Sequence, residues 1–392
     1  MRFVILQDGT ASHVFGLPEV RDITRIGRNR NSARVGRILT DISRPEEDTV
    51  RKLLNTLYVM TENCYLSLDG ENIVIQDGEK TLGRFPLHTL ENIICFTYKG
   101  ASPALMGACA ERKIGMSFFS PRGRFLARVA GKEYGNVLLR KEQYRISDQE
   151  ERSILYAKNM IVGKVYNCRW SIERTLRDHA HRVDAERLKQ VSDTLHAALP
   201  KIDAAHGLDE LRGMEGKAAE QYFSVFDDMI LNQKEDFLFT TRNRRPPLDN
   251  TNALLSFAYT VLAGDCANAL SSVGLDSYVG FMHGDRPGRA SLALDLMEEL
   301  RPVLADRFIL TLINTKAIQA AHFEKQKDSA VLLNEDGRKV FFNAWQSHKR
   351  ESITHPYLKE KIPWGLVPYV QALLLARTVR GDVEEYPPFL WK

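Results

Sequence analysis

Glu150–Arg174, EERSILYAKNMIVGKVYNCRWSIER, is the stretch on which the fold turns, because there the hydrophobic period changes. Upstream, from about residue 55, apolar residues alternate in short β-branched runs. From about Asp148 they recur at helical spacing, and this segment is one long amphipathic run. The upstream runs are Thr56–Val59, Tyr65–Leu68, Ile73–Ile75, Thr81–Phe85, Ile93–Phe96, Gly115–Phe119 and Phe125–Val129. Asp69-Gly70 offers a hairpin turn between two of them, and Asp77-Gly78 precedes another. Pro103–Lys113 reads as a short helix. Downstream, helices are predicted over Ala185–Leu199, stopped at Pro200, and around Glu215. Phe237–Arg245 is ended by Pro246-Pro247, and roughly Asn252–Val273 follows with Asp249 or Asn250 as cap. Phe308–Ala320, Val340–Lys349 and Tyr369–Thr378 complete the series. The expected fold class is therefore α+β, with a small β domain over residues 50–145 and a larger all-α domain over 146–392.

A chain of 392 residues with 44% apolar and 27% charged residues suits two cored domains, and its net charge of +4 permits nucleic-acid binding without announcing it. The five cysteines are scattered, with no zinc spacing, which implies reduced thiols in a cytoplasmic protein. No signal peptide and no uninterrupted apolar run of membrane length is seen.

Residues 1–49 stand apart, with eight arginines and no lysine. Arg25, Arg28, Arg30, Arg34 and Arg37 crowd a segment of little periodicity. A basic DNA-binding arm is one reading; a disordered or non-native extension is the preferred one. Val50 at the boundary is compatible with a GTG start codon. A protein beginning there is expected to keep its function, and the intact mass would settle whether Met1–Thr49 is translated.

Phe281–Pro302, FMHGDRPGRASLALDLMEELRP, carries the chemistry. His283 precedes a Gly/Pro-rich turn, and a helix bearing Asp295, Glu298 and Glu299 follows. With Leu292 at zero, the apolar positions span about 0–140°, Asp295 falls near ~300° and Glu298 near ~240°. A solvated acidic face beside an ordinary histidine is the plain alternative. In Leu211–Met229, LRGMEGKAAEQYFSVFDDM, Glu215 falls inside the apolar arc, at about 100° from Met214. A carboxylate there is expected to be buried, so it needs a cation, a metal or a proton. An internal salt bridge is the alternative. One imidazole with hard oxygens suits Mg2+ or Mn2+ better than zinc.

GMEGKAAEQYF, RNRRPPLDNTNALLSFAY and FMHGDRPGRASLALDLMEELRP together resemble the CRISPR-associated spacer-acquisition integrase family (Cas-one), from about Val50 to the C-terminus. The resemblance implies that Glu215, His283 and Glu298 bind the metal, with Asp295 auxiliary at the catalytic site. It implies a homodimer paired partly through the β domain, a small Cas-two partner, DNA as substrate, a type I subtype C affiliation and an associated Cas-four nuclease. The implied reaction is attack of a fragment 3′-hydroxyl on the repeat backbone. A plain metal-dependent nuclease or a non-enzymatic DNA scaffold are the competing functions. Arg242, Arg244 and Arg245, with Asn252, Arg286 and Arg289, are the candidate DNA-binding residues, since guanidinium binds phosphate oxygens bidentately. Arg286 and Arg289 could equally pair with Asp285 or Asp295. The tail, Tyr386–Lys392, is expected to be an interaction element for a partner, the alternative being that it packs on its own domain.

Overall fold

The computed structural model describes residues 5–7, 10–12, 56–59, 61, 63–112, 114–119, 125–129, 131 and 137–392. The chain divides into two units, Met1–Lys132 and Glu133–Lys392.

In the first unit the predicted strands form, as β3 (Thr56–Val59), β4 (Cys64–Asp69), β5 (Asn72–Asp77), β6 (Lys80–Pro86), β7 (Asn92–Cys95), β8 (Gly115–Phe119) and β9 (Phe125–Val129). β4, β5 and β6 make an antiparallel meander. β3, β7 and β8 pair in parallel, and β9 returns antiparallel. Parallel neighbours need crossovers. The meander supplies one, and helix α1 (Pro103–Glu111) supplies the other; its N-cap Ser102 accepts from the Leu105 N–H. Leu57, Val59, Leu66, Ile73, Ile75, Ile93, Leu105 and Met116 close the core between sheets and helix.

The extension reading needs a correction at its start. Ile5–Gln7 (β1) and Thr10–Ser12 (β2) form a hairpin, and β1 pairs in parallel with β3, extending the sheet to six strands. The rest of residues 1–49, including the arginine cluster, lies outside the described residues, as do Val50–Asn55.

The second unit is helical. α2 (Val137–Ser147) leads into α3 (Glu150–His179), which runs 30 residues and packs against α4 (Ala185–Asp203) and α5 (Leu208–Ser224). Pro200 does not stop α4 at once; it sits in the last turn, where it offers no N–H to the His196 carbonyl, and the helix ends three residues later. α6 (Asn250–Ser272) is capped by the Asp249 carboxylate. It is long and apolar enough to cross a membrane. Leu254, Leu255, Leu262, Cys266 and Leu270 bury its apolar surface inside this unit instead. α7 (Ser291–Leu300) continues through a π-helical turn, Arg301–Asp306, into α8 (Arg307–Asn314). α9 (Glu335–Arg350) and α10 (Val367–Arg380) follow.

Phe237–Arg245 is not helical but part of an irregular segment. Side chains hold it: Gln233 donates to the Ile313 and Ile318 carbonyls at 2.9 and 3.0 Å, and Thr251 to the Phe237 carbonyl at 2.8 Å. Such side-chain bonds compete with helical backbone bonds.

The tail packs on its own domain, which overturns the partner-element expectation. Tyr386 and Phe389 are buried, and Trp391 meets the Trp364 ring at 4.9 Å. Asn167 of α3 donates to the Phe389 carbonyl at 2.7 Å and accepts from the Trp391 N–H at 3.0 Å. Glu299 of α7 accepts from the Phe389 N–H at 2.8 Å and from the Tyr386 hydroxyl. Gln371 links this anchor, donating to Glu299 at 2.9 Å, to buried His355.

His355 yields a pH prediction. Its Nδ1 accepts from the Tyr357 and Leu358 N–H groups, so the neutral tautomer donates from Nε2 to Gln371. Burial lowers its pKa from 6.5 to about 4. A group depressed on folding contributes stability that is whole above its unfolded pKa and is lost as pH falls through the folded one. The window is therefore pH 6.5 down to about 4, and the loss there is about 3 kcal/mol. Urea unfolding at pH 7 and pH 4 should show a smaller difference in His355→Gln than in wild type. Equal differences would remove His355 as the cause.

Candidate active site

Four segments of the helical unit converge. α7 brings Asp295, Glu298 and Glu299; the loop before it brings His283; α5 brings Glu215; and α3 brings Lys164, which is not among the residues that the sequence motifs single out.

Asp295 is fully buried and spends both oxygens on the loop. Its Oδ2 accepts from the Phe281 and Met282 N–H groups at 2.6 and 3.0 Å. Its Oδ1 accepts from the His283 N–H at 3.0 Å and lies 2.6 Å from His283 Nδ1. A carboxylate at Nδ1 fixes the proton there and leaves Nε2 as the free lone pair. Asp295 thus orients the His283 ring and the loop that carries it. Gly280 permits this: a Cβ would meet Asp295 Oδ2 and the His283 carbonyl at 2.8 Å. Burial alone would lower the His283 pKa, but the Asp295 hydrogen bond and charge, with Glu298 beyond, raise it above the usual range.

Glu298 is buried, not solvated. Its Oε1 lies 3.3 Å from Arg301 Nη1. Its Oε2 lies 2.6 Å from Lys164 Nζ outside hydrogen-bond geometry and has no hydrogen-bond partner. Burial pushes this carboxyl up, yet Arg301 and Lys164 outweigh it and hold it at about 2. Lys164 Nζ also donates to Glu215 Oε1. The Glu215 side chain is 22% exposed, so the predicted burial is partial and the cluster opens towards solvent on this side. The salt-bridge alternative for Glu215 is realised here through Lys164.

Arg301 lies over the Tyr259 ring at 4.8 Å, and the Tyr259 hydroxyl donates to Asp306 at 2.5 Å. Arg212, one turn before Glu215, donates to the Met282 carbonyl at 2.8 Å and ties α5 to the histidine loop. Lys164 and Arg301 had sequence signals: Lys164 falls among Ile161, Val165 and Cys168 on the buried face of α3, and Arg301 follows Glu298 at i+3. Arg212 had none.

The DNA-binding candidates divide. Asn252 is buried with its amide fully used, accepting from Arg242 at 2.7 Å and the Asn243 N–H at 3.1 Å, and donating to the Thr241 carbonyl and Asp249. Arg242 also donates to Ser256 at 3.1 Å and lies over the Tyr259 ring at 5.4 Å. Both are engaged within the irregular segment by these bonds. Arg289 donates to the Gly284 carbonyl and, at 3.2 Å, to Ser291, not to a carboxylate. Arg244, Arg245 and Arg286 are exposed.

The chemistry of the donor set fits a hard divalent cation. Two carboxylates and one imidazole with its Nδ1 engaged by Asp295 are offered, although among the described residues no three of these side chains stand grouped as a metal site, and Lys164 lies between the two carboxylates.

A β unit followed by a helical unit that carries this acid–imidazole cluster can be compared with solved structures. A chain titled as a casposase bound to integration product superposes with a TM-score of 0.75 at 21% identity, over 86% of this chain and 94% of that one. A chain of a Cas6-RT-Cas1–Cas2 complex gives 0.71 at 23% identity, over 90% of this chain and 38% of that one. These likenesses establish the fold. The family model described as CRISPR associated protein Cas1 matches residues 57–347, and the chain belongs to that family. A relative from Rhodospirillum rubrum, described as CRISPR-associated endonuclease Cas1 2, is 49% identical over 88% of this chain and 100% of its own length. A Cas4 exonuclease/Cas1 endonuclease fusion from Geobacter sulfurreducens is 34% identical over 85% of this chain and 60% of its own length.

Proposed function

We propose that this Cas1-family protein is a divalent-metal-dependent DNA integrase that inserts new spacers into a CRISPR array. The observation that carries the reading is the pairing of Glu215 and Glu298 across Lys164, with His283 held by Asp295 on the helix that bears Glu298, in a chain 49% identical to a Cas1 endonuclease. Glu215, Glu298 and His283 Nε2 would hold Mg2+ or Mn2+. The metal, when bound, stabilises charge on the scissile phosphate and on the leaving oxygen. The protein holds its own part of the geometry: Asp295 fixes the imidazole, Arg301 steadies Glu298, and Arg212 joins the two ligand-bearing segments.

In the reaction, the 3′-hydroxyl oxygen of the fragment forms a bond to a repeat phosphorus as that phosphorus loses its bond to the repeat 3′ oxygen. The proton passes to the released 3′-hydroxyl, and no ATP is needed. A homodimer, a Cas2 partner and a Cas4 nuclease belong to this reading. The complex of a similar chain with Cas2 and the fusion of a relative with Cas4 support the latter two. A subtype C affiliation and a cytoplasmic location are further parts of it; five free, buried cysteines agree with a reducing compartment.

A strand-transfer assay with a labelled fragment and a supercoiled repeat-bearing plasmid tests it. Joined product that requires Mg2+ or Mn2+ is expected. Nicked plasmid without joined product would favour the plain nuclease, a reading that the relative's description as an endonuclease also supports. Intact DNA would leave the scaffold.

The exposed pair Arg244 and Arg245 is expected to bind phosphates. In Arg244→Ala/Arg245→Ala the slope of log affinity against log salt should flatten by about 0.9 for each duplex phosphate that is no longer neutralised. An unchanged slope would assign the pair to structure alone.

A further inference from the structure

We propose that Lys164 is a built-in competitor of the divalent metal: its ammonium holds the Glu215–Glu298 carboxylate pair together and must yield those oxygens for a metal to bind. The proposal rests on the reading of this pair as metal ligands.

The Lys164 side chain is only 3% exposed and sits on α3 among Ile161, Val165 and Cys168. A buried ammonium is costly unless paired, and its partners here are Glu215 Oε1 and Glu298 Oε2. A divalent ion held by Glu215 and Glu298 needs oxygens from the same two carboxylates. A second cation at that distance opposes the first strongly, so ammonium and metal exclude each other. The two cations that touch Glu298 differ in kind. Arg301 reaches it with a planar, rigid guanidinium lying over Tyr259 and takes the other oxygen, Oε1. Lysine is a point charge on a flexible four-carbon stem, and it can withdraw without leaving its helix.

Two consequences follow. The carboxylates stay compensated without metal, so the protein folds without it. Metal affinity is set lower than the ligands alone would give.

The experiment uses the full chain with Lys164→Met and Lys164→Gln. Mn2+ affinity is measured by calorimetry, and thermal unfolding is followed in EDTA and in MnCl2. Both variants should bind Mn2+ about tenfold more tightly than wild type, or more. Both should melt lower in EDTA and gain more from Mn2+ than wild type gains, because the metal then replaces the missing charge. Affinity equal to or below that of wild type in both variants overturns the proposal. So does failure of Mn2+ to restore their folding. Glu298→Gln separates the two levels of inference. If wild type binds no Mn2+ that this substitution removes, the ligand reading fails and takes the proposal with it. If wild type binds through Glu298 while the lysine variants bind no tighter, the lysine proposal alone fails.

Discussion

Glu298→Ala abolishes cutting and joining of DNA and also destabilises the helical unit, whereas Glu215→Ala abolishes the activity and leaves the fold nearly untouched. The contrast follows from burial. The Glu298 side chain is 8% exposed, and its cationic partners Lys164 and Arg301 are 3% and 6% exposed. Removing one member of such a buried group leaves charge uncompensated and costs about 3–5 kcal/mol. Lys164 would keep Glu215, but Arg301 would retain only the Tyr259 ring and the charge of Asp306. Glu215 is partly exposed, and after its removal Lys164 still pairs with Glu298, so the cost there is about 1 kcal/mol or less. His283→Ala should lose activity as completely as either, with Asp295 keeping the backbone N–H groups of the loop. Strand transfer and urea unfolding, measured on the same preparations, check all three. Wild-type strand transfer in any one would remove that residue from the site. Equal stability of the two glutamate variants would contradict the burial argument.

The sequence reveals the acid–imidazole cluster better than its surroundings. His283 and Glu298 are legible because a turn and a helix deliver them in one short segment. Whether the acidic positions of that helix meet water is not legible. Helical spacing assigns one face to a core and leaves the other for solvent, but Asp295, Glu298 and Glu299 are all buried. The loop covers Asp295, α3 covers Glu298, and the tail covers Glu299. Each cover comes from outside the helix itself, so no local pattern carries it. The β runs were legible for the opposite reason, since alternation over a few residues is a local signal. The parallel order of β3, β7 and β8 was not, because pairing across long crossovers leaves no local trace. The arginine cluster misled in part. A cationic side chain reads as surface, yet Arg242 is drawn inward by Asn252, Ser256 and the Tyr259 ring.

Ending the chain after Glu385, so that Tyr386–Lys392 is removed, should destabilise the helical unit by at least about 5 kcal/mol and take the activity with it. Tyr386 and Phe389 are 2% and 0% exposed, and burying two such rings contributes about 2–3 kcal/mol each. The tail also supplies two of the donors to Glu299, the Phe389 N–H and the Tyr386 hydroxyl. Without them a fully buried carboxyl keeps only Gln371, at a cost of about 1–3 kcal/mol for each missing bond. Burial already raises the Glu299 pKa to about 7, so this carboxyl has little tolerance for losing donors. The site suffers because the tail ties together the two helices that bear it. Asn167 on α3 bonds the tail backbone and the Glu299 carbonyl, three residues from Lys164; Glu299 on α7 is next to Glu298. Gly163, beside Lys164, lets the helices close: a Cβ there would meet the Glu299 Cβ at 2.8 Å and Pro388 at 3.3 Å. Glu299→Gln in the full chain keeps the rings in place and should lose only part of this stability. The urea midpoints of the two variants separate the contributions. A truncated protein with the wild-type midpoint that had lost only partner binding would restore the tail as an interaction element; a lowered midpoint with lost strand transfer makes it the strap that holds Glu298 against Lys164.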